Sequence, residues 1–174
     1  RQPLSSGRTS WPRETCTGTC TGTGYGYGHG KRNAMGEKRS DIGIAVIWRD
    51  GRVLLGQRRE GGAFGRLWEF PGGKCLPGEE PDECAVREAL EEVGLDARIV
   101  AGVRVVEHDY EDLHVRLHFF PCVTNDEEPT PGDYAAIRWV LPCEVGAFPC
   151  PAANVAVIAE IARGGLTPPP SDGR

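Results

Sequence analysis

The sequence predicts one domain of mixed α/β class, and three observations carry that reading. A strong two-strand hairpin signal surrounds Asp50-Gly51, a segment with helical periodicity runs from Pro81 to Gly94, and β-like runs flank that segment before a second helical stretch closes the domain. The length of 174 residues suits one ordinary domain with tails, large enough to bury a core without disulfides or structural metal.

Along the chain, Cys16 to Gly30 reads CTGTCTGTGYGYGHG, a Gly-rich run with almost no aliphatic side chains to offset the entropy of ordering it. Residues 1–39 are therefore expected to be disordered. Met35, the sole methionine, is expected to begin the native product. Cys16, Cys20 and His29 lack the second Cys pair that would complete a zinc set, which leaves a flexible tail as the preferred reading. Order is expected from Ile42, with the domain spanning 40–164. IGIAVIW and VLLGQ form the arms of the hairpin. After a Gly-rich loop come WEFPGGK, the helix PDECAVREALEEVG, and a long β-like stretch, IVAGVRVVEHDY, that turns at Glu111-Asp112 into LHVRLHFFPCV. An acidic, Pro-containing loop spans Asp126 to Asp133, the strand IRWVL follows, and Ala152 to Arg163 reads as the closing helix. Residues 165–174 are expected to be a disordered tail.

The net charge of −5 argues against a broad surface for polymeric nucleic acid, because such surfaces cluster Lys and Arg against phosphates. Small nucleotides stay open as substrates. The seven cysteines are irregularly spaced and no signal peptide is evident, so a reduced cytoplasm fits best. No apolar run reaches the ~20 residues that a membrane helix needs. Monomer is the default state.

Chemistry concentrates on the first helix. Pro81 suits its first turn, Asp82 and Glu83 favour its positive end, and Gly94 is placed to end it. Val86, Ala89, Leu90 and Val93 are expected to pack, while Glu88, Glu91 and Glu92, spaced i, i+3 and i+4, line the opposite face. Carboxylates this close repel one another, and a hard oxygen-seeking cation would turn repulsion into attraction. By itself such a face is also the ordinary property of a solvated helix.

The surrounding residues change that balance. Gly73, Glu79, Arg87, Glu88, Ala89, Glu91, Glu92, Gly94 and Leu95 fill every defined position of G-x5-E-x7-R-E-U-x-E-E-x-G-U, and on these residues the chain resembles the Nudix hydrolase family. LWEFPGGK before the box and the late Asn-bearing helix are similar to the MutT-type branch. The resemblance implies the Nudix fold, a mixed β-sheet sandwiched between α-helices. It implies Mg²⁺ or Mn²⁺ held mainly by Glu88 and Glu92, with Glu91 supporting and the Gly72 carbonyl adding an oxygen. The general base is implied to be Glu88 or Asp133, the latter also a metal-ligand candidate standing where relatives carry Glu. Gly73, Glu79, Arg87 and Gly94 are read as structural, with Arg87 bracing the loop through Glu79.

MutT-type relatives convert nucleoside triphosphates to monophosphate and pyrophosphate and cleanse the pool of 8-oxo-dGTP, so the resemblance implies that substrate first. Asn154 aligns with a purine-reading Asn, and its amide can donate and accept at once; helix capping is its plainer role. Phe70 is a stacking candidate, Arg59 on the second strand a substrate contact, and Lys74 a phosphate contact. His108, His114 and His118 have no ligand spacing, Trp48, Trp68 and Trp139 read as core or rim, and Cys75 and Cys84 lack a base partner. The rival readings are another Nudix substrate (a pyrimidine triphosphate, dinucleotide cofactor or sugar nucleotide) and a nucleotide-sensing module without turnover.

Overall fold

A computed structural model describes residues 39–61, 64–110, 113–125 and 128–169. The expectations for the tail before Arg39, for the Glu111-Asp112 turn and for residues 126–127 and 170–174 lie outside the described residues.

The strands are β1 (Arg39–Arg49), β2 (Arg52–Arg58), β3 (Trp68–Glu69), β4 (Gly72–Lys74), β5 (Ala97–Ile99), β6 (Arg104–Tyr110), β7 (Leu113–Thr124) and β8 (Tyr134–Val140), and the helices are α1 (Pro81–Val93) and α2 (Val155–Ala162). All eight strands join one sheet, in which β1 and β7 are parallel and the other pairs antiparallel. The hairpin forms as expected: Trp48 faces Val53, Arg49 faces Arg52, and Asp50 and Gly51 both take positive φ, 52° and 70°, as a two-residue turn matched to strand twist requires. Strand β1 begins before Ile42, because its first residues pair in parallel with the start of β7.

One departure concerns the long β-like stretch. IVAGVRVVEHDY is not one strand: it breaks around Gly102 into β5 and β6, which pair antiparallel with opposite ends of β7. WEFPGGK, to which the sequence assigns no element, supplies two short strands on either side of Phe70-Pro71: β3 pairs β2 while β4 pairs β1. The closing helix starts as a single 3₁₀ turn over Ala152–Asn154 before α2 proper. Packing continues past residue 164, since Gly165 N–H bonds the Glu160 carbonyl at 2.9 Å and Leu166 lies against the core.

Strand alternation sends side chains to two faces. Ile44, Val46, Trp48, Val53 and Leu55 meet Phe119, Val145 and α2's Val157, Ile158 and Ile161 on one face. Ala45, Ile47 and Leu54 meet α1's Ala85, Ala89 and Val93 on the other. The sheet is thus sandwiched between helices. The packed stripe of α1 is Cys84, Ala85, Ala89 and Val93; Leu90, expected on that stripe, is 58% exposed. Small residues win because α1 comes down directly on β1 at Gly43, where an added Cβ would meet the Pro81 carbonyl and sit 2.7 Å from the Ala85 nitrogen. We expect Gly43→Ala to cost about 1–3 kcal/mol through overpacking, read as a lower thermal midpoint; an unchanged midpoint would show that α1 yields freely.

Candidate active site

The helix termini fall where the sequence placed them. Pro81 occupies the first turn with Asp82 and Glu83, and Gly94 caps the C-terminus in the left-handed region at φ 69°, its N–H bonded to the Leu90 carbonyl at 3.0 Å. This fixes the acidic face of α1 against the β4 loop. An added Cβ on Gly73 would land on the Glu88 carboxylate, so only glycine lets that carboxylate lie so close to the strand.

Arg87 organises the near end of the site. Its Nε and Nη2 grip both oxygens of Glu79 at 2.7 and 3.0 Å, and its Nη1 donates to Glu88 Oε1 at 2.8 Å and Glu91 Oε2 at 2.9 Å. A bidentate guanidinium pair of this kind combines charge with fixed geometry. It holds the Glu79 carboxyl well below its usual range, at about 2, helped by the Leu76 N–H. The Glu79 carboxylate thereby anchors the 75–80 loop to the helix.

At the far end, Glu92 Oε2 accepts from the Gly72 N–H at 2.9 Å and from the Tyr134 hydroxyl at 2.8 Å. Burial pushes its carboxyl up to about 7; these two donors pull it down, and the charges of Glu88 and Glu69 push it up again. Glu69 is itself raised by burial and bound to Arg58 Nη1 at 2.9 Å.

The pattern of occupied oxygens is informative. Glu88 Oε1, Glu91 Oε2 and Glu92 Oε2 are taken by the chain's own donors, while among the described residues no hydrogen bond reaches Glu88 Oε2, Glu91 Oε1 or Glu92 Oε1. Each acid keeps one open oxygen. Among the described residues no three His, Cys, Asp or Glu side chains gather into a ready-made metal cage. Mg²⁺ does not need one, since it keeps several waters and takes one or two carboxylates together with substrate phosphates. The hard, crowded donor set on α1, with Glu92 destabilised as an anion by burial, fits such an ion.

Other sequence candidates are placed as follows. Asp133 is exposed on the loop before β8, and its carboxylate makes no hydrogen bond among the described residues. Arg59 lies just beyond β2, not on it, and its guanidinium donates to the Asp133 and Gly132 carbonyls at 2.9 and 3.1 Å. The expected substrate contact is therefore engaged with the Asp133 loop. Lys74 lines an open, polar cavity of about 540 Å³ with Arg116, His118, Asp41 and Glu79.

Phe70 and Asn154 lie on the opposite side of the sheet from the glutamates. Phe70 is 3% exposed and packs edge-on against Phe119, so its ring belongs to the core. Asn154 is 4% exposed, opens α2 and makes no side-chain cap bond. The Trp68 N–H bonds the Pro149 carbonyl at 2.8 Å, which ties β3 to the turn leading into Asn154. Trp48 and Trp68 are core; Trp139 carries Arg49 over its ring at 4.5 Å. His118 pairs with Asp41 at 2.8 Å, His114 with Asp109, and His108 stacks edge-on with Tyr110. Burial raises the thiols of Cys75 and Cys84, the latter to about 12, the direction that disfavours the nucleophilic thiolate. Sequence reasoning missed Tyr134, Glu69 and Arg58.

Comparison with known proteins gives the family. A family profile described as a NUDIX domain matches residues 43–160. The chain is 37% identical over 87 residues to an 8-oxo-dGTP diphosphatase of Proteus vulgaris, covering 49% of this chain and 78% of the relative. It is 32% identical over 123 residues to a CTP pyrophosphohydrolase of Escherichia coli (strain K12), covering 70% and 90%. The solution structure of the E. coli ORF135 protein superposes with a TM-score of 0.62 at 27% identity, covering 78% of this chain and 96% of that one. No helix among the described residues is long and apolar enough to cross a membrane.

Proposed function

The chain belongs to the Nudix hydrolase family and is a pyrophosphohydrolase, and from that premise we propose that it splits a nucleoside triphosphate into monophosphate and pyrophosphate, with 8-oxo-dGTP as its leading substrate. The observation that carries the reaction is the row of three carboxylates on α1, each with one oxygen that no hydrogen bond reaches among the described residues, with Glu92 against Gly72 and Glu88 against Gly73.

Glu88 and Glu92 would hold Mg²⁺ or Mn²⁺, with Glu91, the Gly72 carbonyl and Asp133 as further oxygens. When bound, the ion supplies positive charge against the phosphate oxygens and makes water a better nucleophile. The remaining work falls to the chain. Glu88 offers Oε2 either to the ion or, as the general base, to the water's proton, while Arg87 holds Oε1 and so fixes the carboxylate plane. Asp133 is the competing base, its exposed carboxylate making no hydrogen bond among the described residues. Lys74 faces the phosphate chain. Asn154 supports the purine preference, because its buried amide is not spent on capping α2.

The E. coli relative named for CTP sustains a second reading, a pyrimidine triphosphatase. A panel of 8-oxo-dGTP, dGTP, CTP, a dinucleotide cofactor and a sugar nucleotide, each with Mg²⁺, separates them. We expect pyrophosphate release fastest from 8-oxo-dGTP, no turnover in EDTA, and recovery on adding Mg²⁺ or Mn²⁺. Preference for CTP would transfer the assignment to pyrimidines, and absence of turnover on every nucleotide would leave a sensing module.

A further inference from the structure

Tyr134 has no role in the reading above, yet the fold goes to some length to aim it. In β8, Val140 and Ala136 belong to the face covered by α2, while Trp139 and Ile137 belong to the face covered by α1. Continued alternation would put Tyr134 with Ala136, away from α1. The register between β2 and β8 instead slips by one: Gln57 faces Ala136, but Arg58 faces Tyr134, leaving Ala135 unpaired. This bulge turns Tyr134 to the α1 face, where it is 4% exposed and packs with Ala89 and Val93. Bulges beside active sites serve to re-aim a side chain in this way. Its ring fits only because residue 56 is glycine, since a Cβ there would sit 2.6 Å from the ring.

The hydroxyl ends on Glu92 Oε2 at 2.8 Å, where the Gly72 N–H also arrives at 2.9 Å. A carboxylate oxygen has two lone-pair positions, so these donors fill Oε2 and leave Oε1 as the oxygen Glu92 can offer. The backbone around Tyr134 is held as firmly: the Thr130 N–H bonds the Val93 carbonyl at 2.9 Å, the Tyr134 N–H bonds the Pro131 carbonyl at 2.7 Å, and Arg59 holds the carbonyls of Gly132 and Asp133.

We propose that Tyr134 is a positioning residue that, together with the Gly72 N–H, occupies Glu92 Oε2 and so makes Glu92 a one-oxygen donor aimed by the bulge in β8. The inference rests on the reading of Glu92 as a cation-holding residue. It also accounts for Arg59, whose bonds keep the loop that delivers Tyr134 against α1.

The test is Tyr134→Phe, which keeps the ring on Gly56 and removes only the hydroxyl, read by Mn²⁺ binding to the substrate-free protein in an EPR titration and by steady-state kinetics. Outer partners of ligating groups typically change metal affinity or activity by about 10–100-fold. We expect Mn²⁺ affinity and kcat both to fall by about tenfold or more, with nucleotide KM within about twofold. Gly56→Ala, which displaces the ring without removing the phenol, should share that signature and carries the test if Tyr134→Phe does not fold. A loss of thermal stability in either variant with Mn²⁺ affinity and kcat unchanged would overturn the proposal. Glu92→Gln separates the two levels: if it keeps Mn²⁺ binding and turnover, the reading of Glu92 itself fails; if it loses both while Tyr134→Phe loses neither, only Tyr134's role falls.

Discussion

Glu92→Gln is expected to lower kcat/KM by roughly 10³-fold, about 4 kcal/mol of transition-state stabilisation, while leaving the fold intact. The amide matches the carboxyl in size, and its oxygen can still accept from Gly72 and Tyr134. What it loses is the anionic oxygen at the open position, where the amide group now presents donors instead of an acceptor. A neutral donor group there repels a cation that the carboxylate attracts. Stability should move the other way. Burial makes the Glu92 anion unfavourable, and the amide carries no charge into that site, so in EDTA the variant should melt no lower than the parent. Calorimetry and the pyrophosphate assay on one preparation check both halves. Retained turnover would remove Glu92 from the chemistry, and a large drop in melting temperature would make the activity loss a folding effect.

Much of the candidate site is legible in the sequence, because its logic is local. Pro81, Gly94 and the glutamates at i, i+3 and i+4 are set by the helix repeat, and Asp50-Gly51 specifies its turn by backbone preference alone. What escaped depends on contacts distant in sequence. Tyr134 meets Glu92 across 42 positions, and the bulge that aims it breaks the alternation from which its side would be read. Hydrophobicity alone puts Leu90 on the packed face, but the close approach at Gly43 selects alanine-sized side chains and turns α1 so that Leu90 points outward. The family resemblance implies a substrate contact for Arg59, and the loop whose carbonyls it binds is more than 70 residues away.

Arg87→Ala is expected to reduce activity by about 10–100-fold and also to lower stability, a combination that separates it from Glu92→Gln. Removing the guanidinium frees Glu88 Oε1 and Glu91 Oε2 at once and releases Glu79, whose side chain is only 12% exposed. Three carboxylates would then face one another without a counter-charge, and the 75–80 loop would lose its anchor on α1. Lysine should rescue poorly, because one ammonium cannot reproduce the bidentate grip on Glu79 while also reaching Glu88 and Glu91. The pH dependence has a definite sign. Arg87 lowers the Glu79 carboxyl from about 4.5 unfolded to about 2 folded, so the pair's stabilisation is full above the unfolded value and is lost as pH falls through the window down to about 2. The gap in melting temperature between the parent and Arg87→Ala should therefore be widest near neutrality and close as the pH drops from about 4.5 towards 2. A gap that stays constant across that range would mean that Arg87 stabilises the loop by packing its stem and not by holding Glu79 ionised.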